Sequence, residues 1–213
     1  MNTDDFISLL ASGVAPVDRS MVAKRISIAV LAGFMGATLL VIAIMGIRPD
    51  LGQAMAEPIF WARIAFPLSL MIGALSMVGK LARPGIASGP GKILIVTAVF
   101  SVWVASIYVL LVSPPDERVA IILGETWKVC VLNITLLSVP GFVAVFWALK
   151  GLAPTNLRLS GACGGLLAGS MATIAYSFRC PEMQIPFWGV WYLLGMLVPT
   201  VLGALLGRRW LRW

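Results

Sequence analysis

The chain has 213 residues, 60% of them apolar and 12% charged, with a formal net charge of +7, no histidine and three cysteines. A soluble domain is about half apolar and a quarter charged, so this balance excludes a water-soluble globular protein and makes lipid the solvent for most of the chain. The positive charge does not describe a nucleic-acid surface either, because the basic residues are divided among the ends of apolar runs, with no continuous stripe or recognition motif.

In chain order, the first predicted element is a short amphipathic helix. Asn2-Thr3-Asp4-Asp5 offers a cap with acids on the first turn, and Phe6, Ile7, Leu9 and Leu10 follow at helical spacing before Gly13 and Pro16 end the pattern. Such a helix either lies in the membrane interface or docks its apolar face into a partner's groove; its acids disfavour an anionic lipid surface. Residues 1–25 are thus read as a short cytoplasmic segment and 26–213 as a membrane domain. No cleaved signal peptide is expected, since the first residues are acidic and the first apolar run is longer than a signal's hydrophobic region.

Six uncharged runs follow: Ile26–Ile47, Ile64–Gly79, Ile93–Ser113, Val129–Leu149, Leu159–Phe178 and Met183–Gly207. A span needs roughly 20 apolar residues. Five runs suffice alone. The second is short, but Pro58-Ile59-Phe60-Trp61 precedes Arg63, so the span can begin near Ile59 if the arginine stem snorkels outward. The predicted fold is all-α, with six transmembrane helices. Pro67, Pro140 and Pro199 lie inside runs and predict kinks. Small-residue ridges at four-residue spacing (Gly161/Gly165/Gly169, Ala29/Gly33/Ala37 and Gly203/Gly207) predict close helix packing within the bundle, or between two copies.

Charge orients the spans, since cytoplasmic loops retain Lys and Arg. Eleven basic residues fall on the side of both termini (Arg19, Lys24, Arg25, Lys80, Arg83, Lys92, Lys150, Arg158, Arg208, Arg209 and Arg212). The other side has five, Arg48, Arg63, Arg118, Lys128 and Arg179, mixed with acids. Both termini are therefore expected inside, in a multi-pass protein of the bacterial inner membrane. Trp61, Trp127 and Trp188 near one boundary, with Trp147, Trp210 and Trp213 near the other, suggest aromatic belts.

No charged residue lies deep in any run, and there is no phosphate-binding loop, Gly-x-Ser-x-Gly or Cys-x-x-Cys. Ion-coupled carriers and intramembrane hydrolases place ionisable groups at depth, so these are disfavoured, while Ser101, Ser106, Asn133 and Thr135 leave a passive path open. The cysteines carry the most chemistry. Cys130 begins the fourth span and Cys180 ends the fifth, at similar depth on the outer side. Cys163 is 17 residues before Cys180, about 25 Å along a helix, too far for a bridge. Cys130 and Cys180 can therefore be a structural disulfide, two unrelated buried thiols or a functional pair. A functional pair would be oxidised, or would bind a soft metal with Glu125 and Glu182 as auxiliary ligands. Lys128 and Arg179 are placed to favour the thiolates.

The opening Thr3-Asp4-Asp5-Phe6-Ile7, the segment Gly46-Ile47-Arg48-Pro49-Asp50-Leu51, and Cys180-Pro181-Glu182 followed by Phe187, Trp191-Tyr192 and Leu205-Leu206-Gly207 resemble the NrsF family of bacterial membrane anti-sigma factors, over essentially the whole chain. The resemblance implies a six-span inner-membrane protein that binds an extracytoplasmic-function (ECF) sigma factor and releases it under heavy-metal or oxidative stress. It implies sensor thiols at Cys130 and Cys180 and a sigma-binding segment at Thr3, Asp4, Asp5, Phe6, Ile7, Leu9 and Leu10, with no enzymatic activity, no cofactor beyond a soft metal at the thiols, and no direct nucleic-acid contact. Cys163 has no counterpart in the family pattern, and Arg179 stands where the family often has histidine. The alternatives from other classes are a membrane thiol-disulfide oxidoreductase and a small-solute channel.

Overall fold

The computed structural model describes residues 3–11, 20–81, 89–152, 154 and 156–212, and within these every regular element is helical. In hydrocarbon an unpartnered backbone group costs several kcal/mol, and a helix satisfies the backbone within a single segment. The elements are α1 (Thr3–Ala11), α2 (Met21–Leu40) extended by a π turn (Val41–Met45), α3 (Leu51–Ala56), α4 (Pro58–Leu81), α5 (Gly89–Val112), α6 (Arg118–Leu123), α7 (Trp127–Lys150), α8 (Leu157–Ser177) and α9 (Ile185–Trp210).

Six helical stretches are long and apolar enough to cross a membrane: α2 with its π turn, α4, α5, α7 with α6 ahead of it, α8 and α9. They coincide with the six expected runs. Span two, the short one, begins at Pro58 and reaches 24 residues, about 36 Å of helix. Pro67, Pro140 and Pro199 all sit inside helices that continue past them. The π turn and the short helices α3 and α6 have no counterpart among the predicted elements. The amphipathic helix is present as α1, with Thr3 to Ser8 exposed, Phe6 and Ile7 included. The side chains of Leu9 and Leu10, and Gly13, Pro16, Arg19, Arg83 and Trp213, lie outside the described residues.

Helix α8 is the axis of the bundle. Sixteen of its 21 residues are buried, and α9, α7, α4 and α2 pack around it. The reason is its glycines. A Cβ at Gly165 would strike the Pro199 carbonyl of α9, and one at Gly161 the Gly203 carbonyl. Reciprocally, a Cβ at Gly203 would strike the Gly161 carbonyl. The ridges on α8 and α9 thus press backbone against backbone within one chain. On the far side, Gly33 of α2 faces the Cα of Gly141 on α7, where a Cβ would sit 2.7 Å away. Helix α5 is peripheral, with only Gly91 and Val102 buried.

The core divides into two layers. One contains Phe66, Leu70, Cys130, Ile134, Tyr176, Cys180, Phe187 and Tyr192. The other contains Ile26, Ala29, Met77, Val78, Val145, Leu149, Cys163 and Leu167. Trp188 belongs to the first layer rather than to a belt: it is buried with its ring centroid 5.9 Å from that of Phe66. Its ring packs onto α4 through Phe66. The hydroxyls of Ser101, Ser106 and Thr135 are bonded to carbonyls of their own helices, at Ala98, Val102 and Val131. Ser101 nonetheless lines a cavity between α4, α5 and α9.

Candidate functional site

The site forms where the Cys180 layer meets the end of the bundle. Helix α8 stops at Ser177, and the chain turns through Cys180-Pro181-Glu182 into α9, whose start is set by Pro186 in its first turn. Pro181 lacks an N–H and restricts Cys180 to extended conformations, so the helix cannot continue through this segment.

Cys130 and Cys180 come together here. Both are buried, at 0% and 1% exposure, neither is in a disulfide, and both belong to one core layer. Tyr176 and Tyr192, with ring centroids 6.2 Å apart, flank the pair. The Tyr192 hydroxyl is buried without a hydrogen-bond partner. Thr126 Oγ1 lies 4.0 Å from Cys180 Sγ. A cleft of about 320 Å³ lies beside Cys180, lined also by Met45, Thr126, Asn133, Tyr176 and Arg179. Cys163 stays apart in the other layer, with its Sγ 4.0 Å from Met77 Sδ.

Arg63 corrects the sequence reading most sharply. Its stem does not snorkel outward: the residue is fully buried. The guanidinium donates to the carbonyls of Ser177 (2.7 Å), Cys180 (3.0 Å) and Glu182 (2.6 Å). Its Cζ stands 5.1 Å from the Phe60 ring centroid. Helix C-termini leave carbonyls unbonded and carry partial negative charge. A buried cation at the end of α8 therefore gains more from that turn than from reaching toward water, and three charge-assisted bonds offset its desolvation.

The other charged residues also differ from expectation. Lys128 is exposed and sits 5.7 Å from the Trp127 ring centroid; the cations bonded to the Cys180 segment are Arg63 and Arg48. Glu182 Oε1 accepts from the amides of Glu125 (2.8 Å) and Thr126 (3.2 Å) and lies 3.3 Å from the Thr126 hydroxyl, so it caps the segment before α7. Glu125 contributes its amide. Among the described residues no three His, Cys, Asp or Glu side chains come together as a metal-binding group. Gly124 completes the corner, with φ +57° and with Phe187 and the Glu182 carboxyl where a Cβ would stand. Glu182→Gln keeps the shape but removes the charge, and is expected to lower stability by about 1 kcal/mol, read as a drop in the thermal midpoint of the purified protein.

Arg48 joins this corner from the loop after α2. It forks onto Asp50, Nε to Oδ1 at 2.6 Å and Nη2 to Oδ2 at 2.5 Å, and reaches the Cys180 carbonyl at 3.3 Å. The pairing holds the Asp50 carboxyl below its ordinary pKa and raises that of Arg48, chiefly through the side-chain hydrogen bond. A depressed carboxyl contributes stability above its unfolded pKa and loses it as pH falls through the folded value. Acidification through the lowered Asp50 pKa, beneath the ordinary carboxylate range, is therefore expected to free Arg48. The fall in midpoint across that window should be smaller in Asp50→Asn.

Two of the segments that carry the family resemblance, Arg48-Pro49-Asp50 and Cys180-Pro181-Glu182, thus touch in space although 132 residues separate Arg48 from Cys180. The family profile described as NrsF, negative regulator of sigma F, matches residues 10–213. The chain belongs to the NrsF family. Among its relatives, a probable anti-sigma-F factor NrsF of Azospira oryzae is 43% identical over 213 residues, covering 100% of both chains. The anti-sigma-F factor NrsF of Caulobacter vibrioides is 34% identical over 214 residues, again covering 100% of both. No solved structure matches this NrsF-family chain.

Proposed function

We propose that the chain is a membrane-embedded anti-sigma factor: it holds an ECF sigma factor on the cytoplasmic side through its amino-terminal segment and releases it when stress modifies Cys130 and Cys180. The observation that carries the reading is full-length similarity to two anti-sigma-F factors. Six helices able to cross a membrane support the location, and the excess of basic residues on the side of both termini supports an inward orientation of α1.

Two buried thiols in one core layer supply the sensing chemistry. An oxidant that accepts two electrons converts them to a disulfide with loss of two protons, and a soft metal ion binds them as thiolates. Glu182 would serve as an auxiliary metal ligand through Oε2, since the amides of Glu125 and Thr126 are bonded to Oε1. In α1, Asp4 and Asp5 leave Phe6 and Ile7 as the exposed apolar anchors, the arrangement by which a helix docks in a groove. Near-complete burial of both thiols disfavours an oxidoreductase, which must present a sulfur to a protein substrate.

The test is co-purification. Tagged protein extracted in mild detergent from unstressed cells is expected to bring a sigma factor with it, while a variant lacking Met1–Ala15 is expected to bring none. Recovery from neither would remove the anti-sigma reading, and equal recovery from both would move the binding site to the basic loops.

A further inference from the structure

We propose that Arg63 is a latch: it positions the Cys180 turn against Cys130, and it makes α4 the helix through which a change at Cys180 travels along the bundle. The proposal rests on reading Cys130 and Cys180 as the responsive thiols. It assigns a role to a residue outside that pair and a route other than the α7–α8 hairpin that carries them.

Three observations converge on Arg63. It is the largest fully buried polar side chain among the described residues. Its guanidinium holds three carbonyls of one short segment, two of them on either side of Pro181. Its Nε has no hydrogen-bond partner, so among the described residues the bonds to this segment are all the hydrogen bonds that the guanidinium makes. Moving the Cys180 turn would therefore strand a buried cation, and the turn and α4 are compelled to move together. Among the described residues no acid is bonded to Arg63; its hydrogen bonds go to carbonyl oxygens, and these change position with the backbone.

Helix α4 is suited to pass this on. Its far half contributes Ala74, Met77 and Val78 to the second core layer, which also contains Ile26 and Ala29 of α2. Helix α2 begins at Met21, ten residues after α1 ends. The same α4 therefore touches the thiol turn through Arg63 at one end and the foot of α2 at the other. Arg48, at the rim, holds the Cys180 carbonyl from outside and reinforces the latch.

Cysteine labelling tests this without any sigma factor. Membranes bearing the full-length parent, Arg63→Gln, Arg63→Lys and Arg48→Gln are treated with N-ethylmaleimide, and labelling rates at Cys130, Cys163 and Cys180 are read separately by peptide mass spectrometry. Arg63→Gln is expected to speed labelling of Cys180 about tenfold or more, the change that follows loss of one charge-assisted bond from a closed conformation. Arg63→Lys keeps the charge without the fork and should fall between parent and Arg63→Gln. Arg48→Gln should give a smaller rise, and it decides the matter if the Arg63 variants fail to accumulate. Cys163, in the other layer, should keep the parent's rate throughout. Unchanged Cys180 labelling in the accumulated variants overturns the latch, as does an equal rise at Cys163, which would mean general loosening. These results stand apart from the anti-sigma reading, which fails or survives on co-purification.

Discussion

Leucine at Gly165 is expected to abolish accumulation of the folded protein. A Cβ there already meets the Pro199 carbonyl and, at 2.9 Å, the Cα of Thr200, so the obstacle is main chain, which no rotamer change relieves. Alanine at Gly165 is expected to cost about 1–3 kcal/mol, the usual range for over-packing; leucine exceeds what the interface can absorb, because α8 is enclosed by its neighbours and has nowhere to retreat. Gly161→Leu should behave alike, through the Gly203 carbonyl. The measurement is membrane yield together with the thermal midpoint of the detergent-solubilised protein. Gly79→Ala, with no neighbouring atom within 4 Å of the new Cβ, is the control, expected to be neutral or stabilising by about 0.5–1 kcal/mol. Were Gly165→Leu to accumulate and melt like the parent, the α8–α9 contact would not be the backbone of this fold.

The second large effect concerns signalling. Cys180→Ala and Cys130→Ala are each expected to hold a sigma-dependent reporter at its unstressed level when oxidant or soft metal is added, while basal repression persists. Alanine is the better replacement: a serine hydroxyl in this buried pocket would cost about 1–3 kcal/mol unless it found a partner, and its effect would mix instability with loss of chemistry. Cys163→Ala should leave induction intact, since that thiol lies in the other core layer beside Met77. Full induction in either Cys130→Ala or Cys180→Ala would end the proposal that the pair senses stress.

Much of the architecture was legible because lipid leaves the backbone few options. Uncharged runs of adequate length must be helices, and the glycine spacings in runs five and six named the faces that meet. The approach of Cys130 to Cys180 followed from two consecutive antiparallel spans. Arg63 was misread for a physical reason. Sequence gives an arginine near the start of a short apolar run, and snorkelling is its cheapest solution when nothing else is nearby; only the fold reveals three carbonyls from residues 177–182 at that spot. The signal was present, since a cation within an apolar helix calls for a named partner. Glu182 has a role that its place beside a cysteine does not announce: its Oε1 accepts from two backbone amides 56 and 57 residues away in the chain. The π turn and the helices α3 and α6 depend on local turn geometry, which apolar run length does not encode.

The burial of α8 bears on how the protein is made. It is the least apolar of the six candidate spans and the most enclosed, rich in glycine, serine and alanine where its neighbours carry valine, leucine and isoleucine. Such a segment is better matched to protein surroundings than to bare lipid, so its entry into the bilayer during synthesis should be the weakest step of insertion. It would be drawn in by α7, made just before it, and secured by α9, made just after. A ribosome halted before α9 emerges should leave α8 only loosely committed to the membrane, and completion of the last helix would seal the bundle.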